Sequence, residues 1–297
     1  KQMSVGNDSL VTEFVFMGLT EQPEFQLPLF FVFLLSYTAT VMGNLSLMIL
    51  ICLNSHLHTP MYFFLFPLLI SVIHLKASSL NAGCMTQLFF FCFFGNSECY
   101  VLTAMAYDCY VAICKPLTYA ILMSPRMCSL LMFGSYLMGL ASAMAHIGFM
   151  IRLSFCDSNV INHCMCDIFL LLQLSCSSPY ANELVSSLIA CIVVIVSGFV
   201  ILTSYASILL NIVHVPATTG WSKAMGTCGS HIVTVSLFYG SGLLAYVKPP
   251  SANSVDQEKF FSVFYTLMVP MLNPLIYSLR NKDVKFAARR TKMRITS

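Results

Sequence analysis

The sequence predicts an all-α membrane protein: a seven-transmembrane helix bundle with its N-terminus outside the cell and its C-terminus in the cytoplasm. Three observations lead there. Of 297 residues, 58% are hydrophobic and only 9% charged, against roughly 25% charged in an ordinary soluble domain. With so few charges, a water-facing surface would be one continuous apolar patch. The charges are also segregated, leaving long uncharged runs between them. Finally, the two ends differ in sign. Asp8, Glu13, Glu21 and Glu24 stand against Lys1 at the start, and Arg280, Lys282, Lys285, Arg289, Arg290, Lys292 and Arg294 stand against Asp283 at the end. The net charge of +3 is too small to argue for a nucleic-acid partner.

The runs define the spans. A bilayer core of ~30 Å needs about 20 helical residues, and strands crossing it would show polar alternation that these runs lack. Between Glu24 and Lys76 no Asp, Glu, Lys or Arg occurs, and only the turn Asn54-Ser55-His56-Leu57-His58-Thr59-Pro60 interrupts the apolar character. Span 1 is therefore placed at 26–53 and span 2 at 60–78. Span 3, at 84–114, continues past Glu98 and Asp108 to Cys114. An acid within the membrane is functional by default, so Glu98 is expected to be protonated or paired with a cation or polar neighbour. Later runs give span 4 at 127–150, span 5 at 183–213, span 6 at 223–247 and span 7 at 259–279. The one long connection is an outer loop from about Arg152 to Asn182. Past Arg280, residues 281–290 mix apolar and basic side chains, as a short helix lying on the inner membrane surface would. The chain thus divides into an extracellular stretch 1–25, a seven-span domain 26–279 and a cytoplasmic tail 280–297. No internal repeat is visible.

Orientation follows from charge. The positive-inside rule puts the basic tail in the cytoplasm, and Lys115, Arg126 and Lys223 then fall in inner loops. Asn7-Asp8-Ser9 is a glycosylation sequon, which needs a lumenal address. Residues 1–24 lack the apolar core of a cleavable signal peptide, so span 1 is expected to direct its own insertion. The chain begins at Lys1 rather than Met, and at least one preceding residue is expected.

Thirteen cysteines divide by location. Cys52, Cys92, Cys99, Cys128, Cys191 and Cys228 lie in spans and are read as small apolar fillers. Cys156, Cys164, Cys166 and Cys176 occupy the outer loop, and Cys84 opens span 3 on the same oxidising side, where disulfides are expected. Residue order alone leaves their pairing open. His163-Cys164-Met165-Cys166-Asp167 has soft-metal donors, but such sites usually need four well-placed ligands. No metal or cofactor is expected.

Several motifs carry a family resemblance. Leu57-His58-Thr59-Pro60-Met61-Tyr62-Phe63-Phe64-Leu65, the stretch Met105-Ala106-Tyr107-Asp108-Cys109-Tyr110-Val111-Ala112-Ile113-Cys114-Lys115-Pro116-Leu117, and Lys223-Ala224-Met225-Gly226-Thr227-Cys228-Gly229-Ser230-His231 resemble signatures of vertebrate odorant receptors, within the rhodopsin-like G-protein-coupled class. So do Gly43-Asn44, Phe238-Tyr239-Gly240 and the span 7 stretch from Pro270 to Asn281.

The resemblance implies a Cys84–Cys166 bridge and a second between Cys156 and Cys176, with Cys164 as a competing thiol. It implies a small volatile odorant bound among spans 3, 5, 6 and 7, with candidates Phe91, Cys92, Gly95, Asn96, Ile189, Val193, Tyr239, Leu243, Tyr246 and Thr266. Such a pocket is mainly apolar with a few placed polar groups. It also implies coupling to a stimulatory heterotrimeric G protein and cAMP. Pro274 removes a backbone donor and kinks span 7, so Asn273-Pro274 and Tyr277 would form a two-state element that ligand binding biases. Asp108, Tyr110, Tyr205, His231, Tyr277 and Arg280 would line or gate the cytoplasmic groove.

Three departures qualify the expectation. Cys109 stands where the family has Arg, and a thiol offers neither the charge nor the five donors. Asp108 is then expected to lose its neighbour, and coupling to be weak or absent. Between Leu65 and Cys84 the family carries roughly fifteen more residues, about half a membrane crossing. Span 2 is therefore shortened, with Lys76 snorkelling to the outer interface and Glu98 losing its usual partner. Trp221 replaces a residue that is usually basic. A decayed, non-signalling receptor is the alternative these lesions raise. A transporter would show paired repeats, and an enzyme would need a nucleophile, acid–base or metal constellation. Neither pattern is present.

Overall fold

The computed structural model describes residues 15–16, 22–54, 81–155, 160–161, 166–178, 180–213 and 217–246, together with 272, 276, 284, 286, 287, 289 and 291. Proline opens two of its long helices. Pro23 starts Pro23–Leu53, and Pro125 starts Pro125–Met150, where Ser124 Oγ accepts from the Met127 amide at 3.4 Å. A missing amide hydrogen costs nothing at a helix start. Spans 1, 3, 4, 5 and 6 are the helices Pro23–Leu53, Asn81–Cys114, Pro125–Met150, Tyr180–Val213 and Ala217–Tyr246. Each begins before the uncharged run that announced it, span 6 by the largest margin. Hydropathy marks the lipid-embedded turns, whereas the first turn sits among headgroups and water. Span 2 lies outside the described residues, as does the expected shortening. Of span 7, Leu272 and Ile276 are described, and both are helical.

Span 3 is the axis. It packs against spans 4, 5 and 6, and Leu88, Leu102 and Met105 on it are fully buried. A helix enclosed by neighbours carries apolar groups all round. Spans 4 and 5 instead bury one stripe each. On span 4 this is Cys128, Met132, Ser135, Gly139, Ala143, His146 and Met150. On span 5 it is Asn182, Ser186, Val193, Ser197, Ile201, Ser204 and Ile208. Steps of three and four keep such positions on one face. The opposite face of span 5 shows Ile195, Phe199 and Leu202 about two-thirds exposed. Small polar groups inside and large apolar groups outside is the distribution lipid imposes, since lipid supplies no hydrophobic force to drive apolar faces together.

The N-terminal stretch and the outer loop meet. Strand β1 (Val15–Phe16) pairs in parallel with β2 (Val160–Ile161), Val15 opposite Val160. That pairing places the start of span 1 on the same side as the loop between spans 4 and 5. On the inner side, a 3₁₀ turn at Pro116–Thr118 and a short helix at Tyr119–Leu122 join spans 3 and 4. The tail packs back on the bundle: Val284 and Ala287 are buried in the main core while Phe286 is 62% exposed, and Asn54 Nδ2 donates to Thr291 Oγ1 at 3.4 Å.

Candidate functional site

At the outer end, Cys84 on span 3 and Cys166 in the loop form a disulfide with a Cα–Cα distance of 5.6 Å. The Cys166 amide also donates to Gln87 Oε1 at 3.2 Å. These contacts pull the helix Ile168–Gln173 onto span 3, where Leu171 and Leu172 are buried against Cys84 and Leu88. Cys176 is disulfide-bonded too. Its expected partner Cys156, the competing Cys164 and the sequon Asn7 lie outside the described residues. Among the described residues, no cluster of metal-ligating side chains forms.

The expected ligand residues fall into two groups. Cys92 is buried beneath the disulfide, with Phe91 packed beside it. Deeper, buried Val193 and half-buried Ile189 and Tyr239 pack with Val101, Leu102 and Met105 of span 3. The Tyr239 hydroxyl is buried beside Ser197 and Cys99. Gly95 and Asn96, half-buried on span 3, lie between the groups in sequence. Leu243 is not brought in: it is 63% exposed. The buried face of span 6 runs through His231, Thr234, Phe238 and Ser241, and a residue two beyond Ser241 lies about 200° around the helix. The Tyr246 side chain and Thr266 lie outside the described residues. A cavity of about 500 Å³ does open between spans 3 and 4, lined by Tyr100, Thr103, Tyr107, Leu131, Gly134 and Ser135. None of the expected ligand residues lines it.

The cytoplasmic end is tied by polar links. His231 is fully buried. Its Nε2 lies 3.0 Å from the Leu102 carbonyl oxygen, which can only accept, so Nε2 carries the proton. Nδ1 is then the acceptor for the Tyr205 hydroxyl. One imidazole thereby connects spans 3, 5 and 6. Ser230 beside it donates to the Ile276 carbonyl of span 7 at 3.2 Å. Asp108, without the family's adjacent arginine, finds another partner: its Oδ1 accepts from the Tyr119 hydroxyl at 2.8 Å. Burial, and then the Asp108 charge, push the Tyr119 phenol above its ordinary range, so it remains a donor. The inner-loop helix that carries Tyr119 gives no hydropathy signal, which is why residue order missed the pairing.

Cys109 is 2% exposed and packs with Ile208 of span 5 and Cys228 of span 6. Half-buried Tyr110 lies under the Lys115 ammonium, 5.8 Å from the ring centre. Glu98 is half-buried near Tyr136 and Cys99. Asn273, Pro274, Tyr277 and Arg280 lie outside the described residues.

The olfactory receptor family model matches residues 33–294. The chain belongs to the olfactory receptor family. The receptor is 67% identical to olfactory receptor 8C8 of Mus musculus, over 100% of this chain and 99% of that one. It is 54% identical to olfactory receptor 8B3 of Homo sapiens, over 99% and 98%. The alignment with the mouse relative runs over 311 positions against 297 residues here, leaving 14 that this receptor lacks. Squid rhodopsin superposes with a TM-score of 0.67 at 17% identity, covering 86% of the receptor and 78% of rhodopsin. The fold is therefore the seven-helix membrane bundle, and the receptor is a multi-pass protein of the plasma membrane. It is a receptor and not an enzyme.

Proposed function

We propose that the receptor binds a small, volatile, mainly apolar odorant among the outer halves of spans 3, 5, 6 and 7. Binding opens the cytoplasmic end to a stimulatory heterotrimeric G protein and raises cAMP, but weakly. The observation that carries the weakness is the Cys109 thiol, buried against Ile208 and Cys228 where the family presents an Arg. With no cation and no fork of donors at that position, an opened groove has less to offer the G protein.

Span 6 supplies a route between the two ends. Tyr239 packs in the apolar cluster shared with Ile189 and Val193, and His231 lies eight residues inward, about 12 Å at the helical rise. An odorant bearing on Tyr239 therefore acts on the helix whose His231 holds spans 3 and 5. It shifts the population only by the difference in its affinity for the closed and open states. Asn273, Pro274 and Tyr277 are the hinge in this reading, Asp108, Tyr110, Tyr205 and Arg280 border the groove, Asn7 carries a glycan, and Cys156 pairs with Cys176. The 14 absent positions and Cys109 together favour a second reading, a receptor that reaches the membrane without signalling.

The test is odorant-evoked cAMP from this receptor beside Cys109→Arg, with surface amounts matched by staining. The arginine variant is expected to respond about tenfold more strongly, a difference of ~1.4 kcal/mol. Equal, robust responses would end the impairment reading. Silence from both, with both at the surface, would favour the non-signalling receptor.

A further inference from the structure

Cys109 does more than remove an arginine, because it creates a pair. Its side chain packs with Cys228 of span 6 in a cluster closed by Ile208, Tyr205 and Ile232. Both cysteines are free thiols, 2% and 1% exposed. Neither residue alone would be notable. Together they place two oxidisable sulfurs in one buried cluster at the end of the bundle that must open for coupling.

We infer that Cys109 and Cys228 are a redox modification site, forming a disulfide that pins span 6 to span 3 at the cytoplasmic end. The oxidant is a hydroperoxide such as hydrogen peroxide. The sulfur of one thiol attacks the peroxide, its proton passes to the departing oxygen, the O–O bond breaks, and a sulfenic acid forms as the first water leaves. The second thiol attacks that sulfur, the S–S bond forms, and the second water leaves. Two thiols and one peroxide give one disulfide and two waters. The bond requires a sulfur–sulfur distance of about 2.05 Å, which the two thiols approach from within one packed cluster.

The reducing cytosol makes this a reversible device rather than a structural staple. Cytosolic disulfides, where they occur, are typically transient and redox-sensing. Burial adds a kinetic asymmetry. Peroxide is small enough to enter the packed cluster, whereas reduction needs a bulkier thiol to reach the same sulfurs, and exchange rates depend on that access. A bridge between spans 3 and 6 holds the Tyr205–His231–Leu102 link in its closed arrangement, so oxidation further weakens the coupling that the proposed function already makes weak at Cys109. The bond itself does not depend on that reading, because its detection requires neither odorant nor G protein.

The cysteine distribution allows a clean test. Beyond Val213 the chain contains one cysteine, Cys228. A protease site is inserted between Val213 and Ala217 of the full chain. Cells are exposed to hydrogen peroxide, thiols are blocked, the surface population is isolated, and the chain is cut and run without reductant. The expected result is one band migrating with uncut chain, falling to two fragments on adding dithiothreitol. Cys109→Ser and Cys109→Ala lose the linkage, and Cys114→Ser keeps it. Separate fragments from the peroxide-treated parent, or linkage that survives both Cys109 variants, would overturn the inference.

Discussion

Asp108 shows how a single substitution is absorbed at the residue scale. Replacing the family's arginine with Cys109 would leave the acid of span 3 buried with no donor, at a cost of about 1–3 kcal/mol for an unsatisfied group. The Tyr119 hydroxyl removes that cost from below, at 2.8 Å. Tyr119→Phe should therefore destabilise the receptor by about 1–3 kcal/mol, read as a lower midpoint of thermal unfolding in lipid nanodiscs. An unchanged midpoint would mean that Asp108 finds its stabilisation elsewhere. His231 makes a related point. With Leu102 O able only to accept, the tautomer is settled by one contact, and the direction of the Tyr205 hydrogen bond follows.

Close helix approach is an element-scale property, and one glycine decides it here. A methyl group on Gly139 of span 4 would meet Ser97 Oγ, the Phe93 carbonyl oxygen at 2.9 Å and the Ser97 amide at 3.0 Å. Two of these neighbours are backbone atoms of span 3 and cannot swing aside. Gly134 lies five residues earlier on the same helix, and a methyl there would meet nothing within 4 Å. The two positions should behave oppositely. Gly139→Ala should cost about 1–3 kcal/mol through overpacking, and Gly134→Ala should be neutral or stabilising by up to ~1 kcal/mol, since alanine is the better helix former. Surface yield and thermal midpoint of the two variants side by side would show it. Equal losses at both would mean that spans 3 and 4 do not touch at Gly139.

For the whole molecule, the governing fact is which side of the bilayer each end occupies. The acidic start, the basic tail and the pairing of Val15 with Val160 agree on an outer N-terminus. A tag ahead of Lys1 should stain in unpermeabilised cells, and a tag after Ser297 should stain only once the membrane is opened. The reverse pattern would invert the topology and remove the cytoplasmic assignment of Asp108, Cys109 and Cys228.

Seven crossings, their direction and the family were readable from residue order, because partition between lipid and water depends on composition summed over about 20 consecutive residues and on the charges at their ends. The disulfide pairing and Leu243 were not readable that way. A span says how deep a residue lies, not which way it faces or what it meets. His231 reaches Leu102 across 129 positions of sequence, Cys109 meets Cys228 only because spans 3 and 6 pack, and Tyr119 serves Asp108 only because an inner-loop turn folds back. Those contacts depend on helix rotation and approach, which composition does not encode, and on them rests how the inner ends of these spans are joined.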